Sequence, residues 1–155
     1  MLADRFCFPC ALGKTGLTVN KREGDGATSI LVTRPLYGFY RADREAKPRS
    51  RLAFRPLHRA MGWCDAPDHP SYNQQVRLPF STSHEEMWRQ DALYDLIVVL
   101  DINISVRKKG RGSALFMHVA RPGYLPTEGC IALSKPDFRQ LLTGLSPNTR
   151  IQIGR

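Results

Sequence analysis

The chain has 155 residues, 42% hydrophobic and 24% charged, a length and balance that fit one folded domain with its own core and exclude a disordered chain. Its 23 Lys and Arg against 14 Asp and Glu leave a net charge of +9, which directs attention to acidic partners: nucleic acid, an anionic membrane surface or an anionic cell-wall polymer. No apolar run approaches the ~18 residues that span a bilayer, and Met1-Leu2-Ala3-Asp4-Arg5-Phe6 lacks the pattern of a signal peptide, so the chain as given reads as cytoplasmic.

Residues 5–12 mix aromatic and small apolar side chains and read as a first strand. Gly13-Lys14-Thr15-Gly16 is then a turn and residues 17–20 a return strand, which predicts an N-terminal hairpin. Cys7-Phe8-Pro9-Cys10 has the C-x-x-C spacing of a redox pair or half a zinc site. No second pair at ligand spacing accompanies it, and His58, His69 and His84 are scattered, so no metal is assigned. Residues 21–26 carry alternating charge and two glycines; they either line a groove or form an exposed turn, and composition favours the turn.

Residues 29–33 and 38–40 are short strand candidates. Residues 41–59 hold seven Lys and Arg around Phe54, but Asp43 and Glu45 interrupt the run and it matches no nucleic-acid module. A solvated strand and loop is expected there, and nucleic acid is not the favoured partner. Residues 61–70 are turn-rich, either a loop lining a site or a surface loop pinned by Trp63; Asp65, Asp68 and His69 form no convincing metal set. Ser83 with Glu86 fits a capping box and predicts a short helix over 84–93. Leu96, Ile97, Val98, Val99, Leu100 and Ile102 make the most apolar run, a central strand buried on both faces. Residues 107–112 are a basic connecting loop.

Chemistry and structural signals coincide in residues 112–142. An apolar strand over 113–119 carries His118, and Arg121-Pro122-Gly123-Tyr124-Leu125-Pro126 breaks regular structure. Thr127-Glu128-Gly129-Cys130 follows. Ser134 as cap, Pro136 in the first turn, and Phe138, Leu141, Leu142 and Leu145 at three- and four-residue spacing predict a helix ending near Gly144. A thiol is mostly protonated at neutral pH, so a nucleophilic Cys130 needs an imidazole, positive charge or a helix N-terminus beside it. His118 is the candidate base, and the N–H groups of Gly129 and Cys130 are candidate oxyanion donors. Without their surroundings, a lone Cys and His are more often structural.

His118 followed by Thr127-Glu128-Gly129-Cys130-Ile131, with the helix entry at Pro136-Asp137, resembles the catalytic segment of the L,D-transpeptidase (YkuD-type) domain. Gly13-Lys14-Thr15-Gly16 and residues 21–28 resemble the N-terminal part of a small signal-less branch of that family. The resemblance spans most of the chain and implies a single catalytic domain over 1–155, mainly β with two helices in a YkuD-like β-sandwich. It also implies a cysteine acyltransferase that needs no cofactor and acts on peptidoglycan stem peptides, an anionic cell-wall polymer. Cys130 would form a thioester, His118 would be its base and the Val119 carbonyl would orient the imidazole. Substrate contacts are expected from Glu128, Arg121, Thr127 and Tyr124.

Three departures from the family pattern stand out. Glu128 replaces a second histidine, the spacing from His118 to Cys130 is short, and Ala132 stands where many members carry an arginine; Arg121 is the candidate to supply that charge. The family role also implies the cell envelope, against the signal-less start. The alternatives are an L,D-carboxypeptidase or amidase-type hydrolase, or a non-catalytic binding module for an anionic glycan or nucleic acid. A depressed thiol pKa at Cys130 is the feature expected to separate an enzyme from a binding module.

Overall fold

The computed structural model describes residues 2–3 and 6–154. A five-stranded sheet in the order Ile131–Leu133, Phe116–Val119, Leu96–Leu100, Pro35–Tyr40, Phe54–Pro56 forms its frame. The two outer pairs are parallel and the two inner pairs antiparallel. The most apolar run of the sequence takes the centre, with all five residues of Leu96–Leu100 buried.

Alternation along these strands separates two cores. Leu96, Val98, Leu100, Met117, Val119, Ile131 and Leu133 face the helix Lys135–Gly144, which closes that side with Phe138, Leu141 and Leu142. The helix starts as its sequence predicts, with Ser134 Oγ accepting the Asp137 N–H at 3.2 Å and proline in the first turn. Ile97, Val99, Phe116 and Phe39 face the opposite way, against Met61, Trp63 and Met87. Met61 and Trp63 belong to a second sheet of order His84–Glu86, Met61–Cys64, Gln75–Arg77. The result is the β-sandwich expected from the sequence, with one helix outside it.

Trp63 anchors the second sheet: its ring meets Phe116 edge-on at 4.9 Å, and its Nε1 donates to Asn73 Oδ1 at 2.9 Å. Asn73 Nδ2 in turn donates to the Asn103 carbonyl at 2.7 Å. Residues 61–73 are thus pinned across the sandwich rather than laid on its surface.

Four local expectations change. The helix over 84–93 does not form, so the described residues hold one α-helix and a 3-10 turn at Pro122–Tyr124. His84–Glu86 pairs antiparallel with Met61–Cys64, and Met87 is fully buried in the second core. Sheet pairing and burial of one side chain outweigh a local capping signal. The predicted hairpin between residues 5–12 and 17–20 also does not form among the described residues: Leu17–Thr18 pairs parallel with Thr28–Ser29, and Ala11 bridges to Ala132. Part of the predicted first strand lies outside the described residues. In the basic stretch, Arg41 is not solvated but 3% exposed, donating to both Asp43 oxygens and lying 3.7 Å from the Trp88 ring centre. The fourth change, at residues 21–26, bears on the site.

Candidate active site

Strand parity brings His118 and Cys130 to one face. Met117 faces the helix, so its neighbours Phe116 and His118 face the second core. The parallel register Met117↔Ile131 does the same for Cys130, which packs against that core. Phe116 N–H points at Cys130 Sγ at 3.3 Å, and Sγ donates to the Ala114 carbonyl at 3.2 Å. His118 and Cys130 both line one cavity of about 280 Å³.

His118 is 5% exposed, with Nδ1 2.8 Å from the Val119 carbonyl oxygen. A carbonyl only accepts, so Nδ1 carries the hydrogen and Nε2 keeps its lone pair. The ring packs edge-on against Tyr94 at 5.6 Å between centres. Burial pushes the imidazole down to about 4, so it is neutral at physiological pH. Burial, with the Glu85 carboxylate adding to it, pushes the Cys130 thiol up to about 12. The depressed thiol that would separate an enzyme from a binding module is not what the folded chain provides: the two groups rest as thiol and imidazole. The helix begins at Lys135, too far along the chain for its first turn to hold Cys130.

The loop carrying Cys130 is braced from three sides. Thr127 Oγ1 accepts the Gly129 N–H at 3.1 Å and donates to the Cys130 carbonyl at 2.7 Å. Thr28 Oγ1 accepts the Gly13 N–H at 2.8 Å and donates to the Gly129 carbonyl at 3.0 Å. Lys14 N–H donates to the Thr127 carbonyl at 2.9 Å, and Lys14 Nζ pairs with Glu128 at 2.8 Å. Gly129 has φ +133°, and a Cβ there would lie 2.8 Å from the Ala27 carbonyl oxygen. Only glycine fits that position.

Residues 21–26 are not the exposed turn that composition favours. Lys21 is buried and, with Glu23 and Gly24, lines the cavity. Glu23 accepts from the Tyr72 hydroxyl and from Ser113 Oγ, the latter at 2.9 Å. The segment around Trp63 also reaches the site, through Asp65 in the cavity wall and through Tyr72, whose hydroxyl donates to Glu23.

The remaining sequence candidates divide. Arg121 and Glu128 line the cavity from exposed positions, Glu128 already paired with Lys14. Thr127 lines it too, but its hydroxyl is committed within the loop. Tyr124 is turned towards the helix start, its hydroxyl 3.5 Å from Asp137 Oδ2, and lies outside the cavity wall. Because Thr127 takes the Gly129 N–H, that amide is not a free oxyanion donor; the Cys130 N–H has no acceptor among the described residues. Sequence reasoning misses Glu85, Tyr94 and Arg89, all in the cavity wall. Tyr94 donates to Glu85, and Arg89 clamps Asp91 at 2.8 and 2.7 Å. The local sequence His84-Glu85-Glu86-Met87 shows no alternation; it is pairing with Met61–Cys64 that turns Glu85 and Met87 to one face. Among the described residues no group of three or more His, Cys, Asp and Glu is placed to hold a metal, and no helix is long and apolar enough to cross a membrane.

A model of the YkuD family, described as the L,D-transpeptidase catalytic domain, matches residues 4–153. The chain therefore belongs to the L,D-transpeptidase catalytic-domain family, enzymes whose fold is a β-sandwich and whose substrate is peptidoglycan of the cell wall. No curated protein and no solved structure matches it.

Proposed function

We propose that this chain is a cysteine acyltransferase that acts on peptidoglycan stem peptides through a thioester on Cys130, with His118 as base. The observation that carries the proposal is the bond from His118 Nδ1–H to the Val119 carbonyl in the cavity shared with Cys130. It fixes the tautomer whose Nε2 accepts a proton, and no carboxylate is needed to orient the ring.

Since both groups rest neutral, proton transfer accompanies attack. Nε2 takes the Sγ hydrogen as Sγ bonds to the amide carbonyl carbon, and the carbonyl pair moves onto oxygen, where the Cys130 N–H meets it. Collapse breaks the C–N bond, the amine leaves with the proton held on Nε2, and a thioester remains. An incoming amine releases the acyl group in transfer; water does so in hydrolysis. Arg121, exposed at the cavity wall and in no ion pair among the described residues, meets a substrate carboxylate in place of the arginine that Ala132 lacks.

Intact mass of the protein and of Cys130→Ser after incubation with tetrapeptide muropeptides, with and without an acceptor amine, tests this. An acyl adduct or a crosslinked product that requires Cys130 is the expected result. Folded protein that yields neither contradicts it.

A further inference from the structure

With the Gly129 amide committed to Thr127, the oxyanion has one backbone donor, the Cys130 N–H, and the cavity offers a second donor from the loop at residues 21–26. Lys21 is only 9% exposed. Two features fix its ammonium. Nζ donates to Asp25, whose carboxylate also accepts the Arg22 and Ala27 N–H groups at 2.8 and 2.9 Å. The chain of Lys21 then runs past two glycines that leave it room: a Cβ on Gly112 would lie 3.0 Å from Cε, and one on Gly129 would lie 3.2 Å from Nζ. The ammonium therefore rests against the residue that precedes the nucleophile. It has three N–H donors, of which Asp25 takes one, and Lys21 lines the same cavity as Cys130 and His118.

We propose that Lys21 is a catalytic residue whose ammonium donates a hydrogen bond, beside the Cys130 N–H, to the oxyanion formed when Cys130 attacks. This rests on the acyl transfer proposed above. Lys21 gives up no proton: the electron pair stays on the carbonyl oxygen until the C–N bond breaks, and the departing amine takes the proton that His118 received from Sγ. A charge held ready by Asp25 needs no reorganisation as the oxyanion develops, which is where such donors contribute most. Gly129, already required by its φ and the Ala27 carbonyl, also leaves the ammonium its room beside the nucleophile.

The test is single-turnover acylation of Cys130 by a tetrapeptide muropeptide, followed by intact mass, in wild type, Lys21→Met and Lys21→Arg. Lys21→Met is expected to lower the acylation rate constant on the order of 100-fold with half-saturation within about twofold, and Lys21→Arg to keep part of the rate. Folded Lys21→Met that acylates within about threefold of wild type overturns the inference and leaves the acyl-transfer proposal standing. Wild type that never acylates overturns both. A measurement on wild type alone covers a variant that does not fold: in ¹⁵N-lysine NMR, a peptide aldehyde that adds to Cys130 is expected to shift the Lys21 Nζ signal, and a signal that stays in place overturns the inference.

Discussion

The central strand Leu96–Leu100 presents nearly the same side chains on its two faces, yet the faces have opposite fates. Leu96, Val98 and Leu100 meet a helix whose apolar stripe closes over them, and that core contains no titratable group that the chemistry uses. Ile97 and Val99 meet a second core that runs out, beyond Phe116 and Tyr94, into a cavity holding His118, Cys130, Lys21 and Glu85. The first face is completed by apolar side chains alone, from Phe8 and Leu52 to Ile153; the second also draws in polar groups at the cavity wall. Packing alone settles the helix face; the cavity face depends on ion pairs and hydrogen bonds that hold polar groups beside a half-buried thiol. Substitutions on the first face should therefore cost stability, and those on the second should cost activity.

The largest separation is expected at the nucleophile and base. Cys130→Ala removes all acyl mass gained from muropeptide, and His118→Gln lowers the acylation rate by roughly 10²–10⁴-fold, both with unfolding transitions that remain cooperative. A His118→Gln protein that acylates near the wild-type rate breaks the contrast between the faces. On the helix face, Leu142→Ala is expected to cost about 2–5 kcal/mol in urea unfolding, because Leu142 is fully buried in the first core. Acylation per folded molecule should stay unchanged, and a loss of activity out of proportion to the loss of fold would show that the faces are coupled.

Acidification from about pH 6.5 to about pH 4 probes His118 on the cavity face. The folded pKa of His118 is depressed to about 4 from an ordinary 6.5, so the unfolded chain binds the proton first as pH falls. Stability should be intact above about pH 6.5 and decline between there and about pH 4, by about 3 kcal/mol in all from this one group. Urea unfolding of His118→Gln should lack that part of the decline. The smallest effect is expected at the cavity rim. Glu128 and Lys14 are 75% and 54% exposed in their side chains, so Glu128→Gln should change stability by less than about 1 kcal/mol, and less again at high salt. A larger cost would mean that the Lys14 pair braces the Cys130 loop more strongly than its exposure allows.

The same division governs how much of the molecule is legible in its sequence. The central strand and the Ser134-capped helix sit on local patterns, and local patterns suffice for them; the roles of Cys130, His118 and the Val119 carbonyl come from the family resemblance. Lys21 looked like part of a surface turn because nothing local distinguishes a charged, glycine-rich loop in water from one folded against Gly129; its burial comes from Asp25 and from contacts made about a hundred residues away. Glu85 was hidden by a capping pattern that pairing with Met61–Cys64 overrides. The free Gly129 amide, reasonable from the motif, is taken by Thr127, which stands two residues earlier. The misses at Lys21 and Glu85 concern residues placed by partners from other segments, whereas the miss at Gly129 is local, a hydroxyl two residues away.

The central claim is that a neutral Cys130 thiol is activated by neutral His118 at the moment of attack. The most direct measurement is the pH dependence of kcat/KM for acylation of the wild-type protein by muropeptide, which reports the ionisations of the free enzyme. The account predicts a rise with an apparent pKa near 4, where His118 gives up its proton, and a plateau through neutral pH. A rate that instead climbs through neutral pH in step with ionisation of an ordinary thiol, and that His118→Gln leaves unchanged, would contradict it.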